Sequence, residues 1–190
     1  MKVGLSDEAF IRGKVPMTKQ EIRILTLVKA QIEADDVIYD IGAGTGSLSI
    51  EAALLAKNGH VYAVERETEG IELIKQNMAR FGVDNITPIC QAAPAALSGL
   101  PAADAVLIGG SGGNLQDIVI QADKLLLPQG RIVLTAVTVD TLHNGLKYLE
   151  ELGYAVEAYG VQINRIRSVG SVNMFQALNQ VYIIKATKGG

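Results

Sequence analysis

Asp40-Ile41-Gly42-Ala43-Gly44-Thr45-Gly46 joins an apolar strand, Val37 to Ile41, to a helix through three closely spaced glycines. Glycine is needed where the backbone takes positive φ or approaches a ligand more closely than a Cβ allows. The helix N-terminus that follows offers unpaired N–H donors to an acidic group. Taken alone, such a turn is often only tight packing. Here a second apolar strand, His60 to Val64, follows the helix and ends in Glu65, whose carboxylate can accept hydrogen bonds from two ribose hydroxyls. Strand, glycines, helix, strand and terminal acid in that order mark a cofactor site.

Before the turn, Thr18 followed by Glu21 reads as a capping box, and Ile22, Leu25, Val28 and Ile32 recur at helical spacing, which predicts a first helix from about Thr18 to Ile32. After it, a helix through Leu48, Ala52 and Leu55 closes near Asn58-Gly59, and another carrying Ile71, Ile74 and Met78 ends around Gly82. Strands are predicted near Ile86 to Cys90, at Ala105 to Ile108 and at Arg131 to Ala136, the last entered through a turn at Pro128-Gln129-Gly130. Helices are predicted over Leu115 to Leu127 and Asp140 to Leu152. Two extended segments, Tyr154 to Asn164 and Val181 to Lys185, are expected to pair antiparallel. The alternation gives an α/β, Rossmann-like fold: a seven-stranded, mostly parallel sheet with an antiparallel C-terminal hairpin and helices on both faces, in a single domain over residues 1–190.

Apolar residues make up 48% of the 190 positions and charged residues 19%, which favours a surface partly covered by other subunits. The formal net charge of −3 and the lack of a basic run argue against a nucleic-acid partner. Cys90 is the single cysteine, so no internal disulfide forms, and its strand-like setting predicts a buried thiol in a reducing cytoplasm. Met1 to Asp7 lacks the apolar core of a signal peptide and no apolar run suits a bilayer, so no membrane association is expected. His60 and His143 have no metal-ligand spacing, and no metal is expected.

The glycine spacing is G-x-G-x-G, because Ser47 stands where the dinucleotide fingerprint has its third glycine. With Asp40 before it, this loop resembles that of the class I S-adenosylmethionine-dependent methyltransferases. Three stretches together narrow the resemblance: Val15-Pro16-Met17-Thr18-Lys19, Tyr39 to Ser47, and Ile108-Gly109-Gly110-Ser111-Gly112-Gly113-Asn114-Leu115. They are similar to the cobalamin-pathway family that methylates C15 of cobalt-precorrin-6B and releases the C12 acetate carboxyl as carbon dioxide. The similarity runs from about Phe10 to Lys185, and the Gly-Gly-Ser-Gly-Gly loop is its most particular motif. It implies S-adenosylmethionine as cofactor, a cobalt-corrinoid (precorrin) substrate and a homotetramer.

Carried over to this sequence, the family's cofactor contacts fall on Thr18, on Asp40 and the turn residues Gly42, Ala43, Gly44, Thr45 and Gly46, on Glu65 and on Ala93. Backbone donors at Gly44 to Gly46 can face the methionine carboxylate, and Ala93 can present a backbone group beside adenine. Thr18 has two readings, a helix cap alone or a cap that also touches the cofactor. Many relatives carry Gly-Asp-Ala after the third strand, the Asp bonding the adenine amino group, whereas this chain reads Gln91-Ala92-Ala93. Either the backbone suffices there or Gln91 substitutes, and a tenfold loss of affinity would correspond to ~1.4 kcal/mol.

A corrinoid precursor carries many carboxylates around a flat apolar ring, so its site calls for glycine-rich backbone with cations at the rim. Candidates are Gly109, Gly110, Ser111, Gly112 and Gly113 beyond the fourth strand, and Asn164, Arg165 and Arg167 at the turn of the terminal hairpin. Arg12 and Lys14 are weaker candidates, better read as solvated surface charges. No residue is assigned as general acid, base or nucleophile. A methyltransferase of the same fold with another substrate, and a cofactor-binding module without turnover, remain open on sequence alone.

Overall fold

The computed structural model describes residues 3–189. Met1 and Lys2 of the leader reading, and the outermost positions of the expected domain, lie outside the described residues. Strands β1 (Val37–Ile41), β2 (His60–Glu65), β3 (Ile86–Cys90), β4 (Ala103–Ile108), β5 (Leu126–Ala136), β6 (Ala155–Val161) and β9 (Val181–Thr187) form one sheet in the order β3-β2-β1-β4-β5-β9-β6. The first five pair in parallel, and β9 runs antiparallel to both β5 and β6. The β6–β9 pair is the expected hairpin partnership, with Ala155 opposite Thr187 and Val161 opposite Val181.

Alternating side chains along the central strands feed two cores, as the twofold period of a strand requires. Ile38, Ala105 and Leu107 pack under α1 (Gln20–Ala30), α2 (Ser47–Leu55) and α3 (Thr68–Phe81), while Tyr39, Val106 and Ile108 pack under α4 (Leu115–Leu125) and α5 (Val139–Glu151). α2 is buried from Ser47 through Ala53, so its lack of an amphipathic stripe follows from burial nearly all round.

Several expectations are corrected. α1 starts at Gln20 after an extended Lys19 (φ −66°, ψ 150°), so Thr18 does not cap it; Thr18 gives its carbonyl to Arg23 Nη1 at 2.6 Å. Glu21, the other half of the expected box, binds Arg165. The turn at Pro128-Gln129-Gly130 lies within β5, where the register with β4 slips between Ala103 and Ala105 and Gln129 takes φ 64°. Cys90 is exposed, not buried, at the end of the edge strand β3. Between β6 and β9 the chain builds an additional ribbon, β7 (Asn164–Val169) and β8 (Val172–Ala177), which pairs only with itself.

The N-terminal segment is tied down by a buried arginine. Arg23, fully buried on α1, donates to Glu51 Oε1 at 2.7 Å and Asp7 Oδ1 at 3.0 Å, and its guanidinium lies 4.7 Å from the centre of the Phe10 ring. Glu51 also accepts the backbone N–H of Gly4 at 2.6 Å and of Leu5 at 3.2 Å. Further along, Asn77 accepts from the N–H of Ile11 and donates to the carbonyls of Ile11 and Thr45, which pins the segment to the glycine turn.

Candidate functional site

Strand order reverses between β1 and β4, because the chain moves outward through β2 and β3 and then returns to the far side of β1. Open parallel sheets bind ligands at the carboxyl ends of the strands flanking such a switch point. Both glycine loops leave the sheet there. Gly109 N–H donates to the Ile41 carbonyl at 2.9 Å and Gly110 N–H to the same oxygen at 3.3 Å. Gly42 takes φ 74°, and a Cβ on it would stand 2.6 to 2.8 Å from the oxygen, nitrogen and Cα of Gly110. A Cβ on Gly44 (φ 56°) would stand 2.6 Å from the Pro16 carbonyl. The first loop is thus closed on one side by the second loop and on the other by the N-terminal segment.

The cleft between them measures about 260 Å³, room for one small cofactor. Gly42, Gly44, Glu65, Ala93, Gly109, Gly110, Ser111 and Gly112 all line it. Glu65 is fixed from two directions: Oε2 accepts the Gly44 N–H at 2.8 Å and Oε1 the Glu67 N–H at 2.9 Å. Gly70 keeps α3 against it, since a Cβ there would stand 2.6 Å from Glu65 Cγ. Each carboxylate oxygen so engaged retains acceptor capacity for a further donor.

Asp40, Ala43, Thr45 and Gly46 lie buried behind the cleft wall. Asp40 is fully buried, with Oδ2 accepting from the Ser49 hydroxyl and Oδ1 unpartnered. Burial pushes its carboxyl up to about 6, the negative Glu65 adds to the rise, and the Ser49 hydrogen bond opposes it. The Thr45 hydroxyl is likewise buried without a partner. Ala43 packs in the core under α2 and α3, and Gly46 is the residue before α2, its N–H donating to the Ala43 carbonyl at 2.8 Å.

The remaining candidates stand apart from the cleft lining. Thr18 is half-buried beside Arg23. Gly113 borders a smaller cavity of about 180 Å³ with Asn114, Asn144 and Tyr148. Asn164, Arg165 and Arg167 lie on β7, where Arg165 donates from Nε and Nη2 to Glu21 at 3.0 and 2.7 Å and approaches Asp7 at 3.7 Å. That pairing raises the Arg165 guanidinium above its ordinary value, the Glu21 hydrogen bond contributing most. Lys14 is tethered by its backbone N–H to Glu69 at 2.7 Å.

Sequence reasoning missed four polar or rim positions that the structure brings into the cleft: Pro16, Arg66, Glu67 and Asn114. Arg66 and Glu67 directly follow the acid at the end of β2, a position that topology alone assigns to the ligand side. Among the described residues no group of three or more His, Cys, Asp or Glu is poised for a metal ion, and no helix is long and apolar enough to cross a membrane. His60 Nε2 stands 2.7 Å from the Thr87 hydroxyl.

A family model described as the precorrin methyltransferase domain matches residues 8–188. The chain is 37% identical over 186 residues to the cobalt-precorrin-6B C(15)-methyltransferase (decarboxylating) of Salmonella typhimurium, covering 97% of this chain and 96% of that protein. The crystal structure of precorrin-6y C5,15-methyltransferase from Geobacter metallireducens superposes with a TM-score of 0.93 at 42% identity, covering 98% of both chains. Precorrin 8W decarboxylase of Methanobacterium thermoautotrophicum superposes with a TM-score of 0.92 at 34% identity, covering 96% of this chain and 98% of that one.

Proposed function

The chain belongs to the precorrin methyltransferase domain family, and from that premise we propose that it transfers a methyl group from S-adenosylmethionine to C15 of cobalt-precorrin-6B and releases the C12 acetate carboxyl as carbon dioxide, in cobalamin biosynthesis. The observation that carries this reading is the junction of the two glycine loops at the switch point, with the backbone of Gly110 against Gly42 and the fixed carboxylate of Glu65 beside them. The first loop and the acid suit a nucleoside cofactor. The second is the motif most particular to the family.

The residues present fit S-adenosylmethionine. Gly42 and Gly44 keep the turn free of side chains, Glu65 offers paired acceptors for ribose hydroxyls, and Ala92, Ala93 and Ile118 give apolar wall for a flat base. The unpartnered Asp40 oxygen supplies negative charge behind the turn for the ammonium group. Gln91 also lines the cleft, and its amide or the local backbone takes the place of the missing Asp at the adenine amino group. Ala43, Thr45 and Gly46 shape the turn from behind, and Thr18 stands outside the lining with its carbonyl held by Arg23.

When bound, S-adenosylmethionine supplies an electrophilic methyl on a sulfonium. The substrate's conjugated enamine-like system supplies the nucleophile, and its ring takes up the electrons left by decarboxylation. The protein's part is positioning, which contributes about 7–11 kcal/mol to barrier lowering in well-oriented systems. Gly109 to Gly112 leave room for a broad ring at the cleft mouth, and the Ser111 hydroxyl offers it a hydrogen bond. No general acid or base is assigned.

The test is mass spectrometry of a late cobalt-corrinoid pool incubated with the protein and S-adenosylmethionine. A species that gains one methyl and loses carbon dioxide is the expected product. Unchanged corrinoids in the presence of bound cofactor would refute the assignment.

We also read the chain as a single domain that assembles, as a homotetramer, in the cytoplasm, without nucleic-acid partners. The net charge of −3 supports the last point. Support for assembly comes from the β7–β8 ribbon, which exposes Ile166, Val172, Met174 and Phe175. An isolated two-stranded ribbon is marginal in water, and apolar residues exposed on both of its faces, Ile166 and Phe175 on one and Val172 and Met174 on the other, mark a surface for interaction. Asn164 and Arg167 on that ribbon reach a substrate only if assembly brings the ribbon to a cleft.

A further inference from the structure

Resting on the corrinoid reading above, we infer that Arg66 is a specificity-determining residue that anchors a side-chain carboxylate of the macrocycle at the cleft mouth. Arg66 is the one cationic side chain lining the cleft among the described residues. It follows the ribose-binding acid at the end of β2, opposite the Gly109–Gly113 loop. Its Nη1 stands 3.0 Å from the point where a Cβ on Gly112 would sit, and Gly112 takes φ 57°. The loop therefore passes the guanidinium without a side chain of its own between them.

The guanidinium is partly committed and partly available. Nε donates to Glu67 Oε1 at 3.0 Å, while Nη1 and Nη2 donate to no acceptor among the described residues. Both partners of that pair are more than half exposed, so the pairing is weak and gives way readily to a second carboxylate. A planar fork with two free donors matches a carboxylate bidentately. The cleft holds one small cofactor, so a macrocycle must lie across its mouth, where Arg66 meets the ring's periphery. Arg165, by contrast, already holds Glu21 and Asp7.

The test compares wild type, Arg66→Gln and Arg66→Lys, each saturated with S-adenosylhomocysteine and titrated by visible absorbance with a cobalt corrinoid bearing free acetate and propionate groups, then with its fully esterified counterpart. Charged hydrogen bonds of this kind predict roughly tenfold or greater weakening of the free acid by Arg66→Gln, with Arg66→Lys between the two. Affinity for S-adenosylhomocysteine, and binding of the ester, should be the same in all three proteins. Thermal melts should also coincide, because the side chain is 60% exposed. Equal binding of the free acid by wild type and Arg66→Gln overturns the inference and leaves the corrinoid reading standing. Weakened S-adenosylhomocysteine binding overturns it in favour of a cofactor contact. Failure of wild type to bind either corrinoid overturns both readings together.

Discussion

Replacing Gly42 by Ala places a methyl group where the two glycine loops touch. Two costs can be separated. The φ of 74° disfavours any residue with a Cβ by about 1–2 kcal/mol. The methyl also meets backbone atoms of Gly110 at 2.6 to 2.8 Å, well inside ordinary contact, and those atoms are held by the hydrogen bonds of Gly109 and Gly110 to the Ile41 carbonyl. Forcing them back costs a further 1–3 kcal/mol or so, as overpacking does elsewhere. The total, about 2–5 kcal/mol, should lower the melting temperature by roughly 4–20 °C for a chain of this length. Gly99 is the control: its φ is 79° with nothing within 4 Å of the added Cβ, so Gly99→Ala carries the conformational cost alone. Urea unfolding of the two variants isolates the contact term, and calorimetric titration with S-adenosylhomocysteine should show at least about tenfold weaker binding for Gly42→Ala only. If the two variants agreed within about 0.5 kcal/mol and both bound the ligand normally, the inferred loop junction would be wrong.

Arg23→Met should cost about 3–5 kcal/mol in denaturant unfolding, because Glu51 stays buried without its counter-charge and Asp7 keeps only the longer contacts with Arg165 and Lys19; a loss under about 1 kcal/mol would show that the network is not buried as described. Asp40 sets a pH dependence of defined sign. Its native value near 6 lies above the ordinary 3.8, so the folded state holds the proton more tightly than the unfolded one, and cofactor-free stability falls on its account as pH rises from about 4 to about 6, by about 3 kcal/mol in all. Asp40→Asn removes that slope, so the stability difference between variant and wild type should move in the variant's favour by that amount across the window, and a constant difference would refute the assignment. Phe175→Asp on the ribbon should shift the proposed assembly toward smaller species in light scattering without changing S-adenosylhomocysteine affinity, Phe175 being 84% exposed and outside the cleft lining.

What was legible in the sequence depends on how far away each residue's reason lies. β1, β2 and β4 are runs of apolar residues ending at a Gly or an acid, and their pattern needs only their own neighbours to be read. The glycine turn was legible for the same reason, since three close glycines after a strand constrain the backbone locally. The burial of Arg23 has no local trace, because its partners Asp7 and Glu51 lie 16 and 28 residues away. Arg66 carries no local signal beyond its place between Glu65 and Glu67, and its neighbour Gly112 lies far along the chain, so only the fold brings the two together. The β7–β8 ribbon left a local trace, Val169-Gly170-Ser171-Val172, whose central Gly takes φ 60° between paired valines, as a two-residue hairpin turn requires. That trace is faint because Asn164 to Ala177 has no buried face to impose a period of two, and its apolar residues point outward. On the assembly proposed above, the pattern of this exposed apolar ribbon answers to a partner surface and not to its own neighbours, which is why a reading confined to local periodicity does not find it.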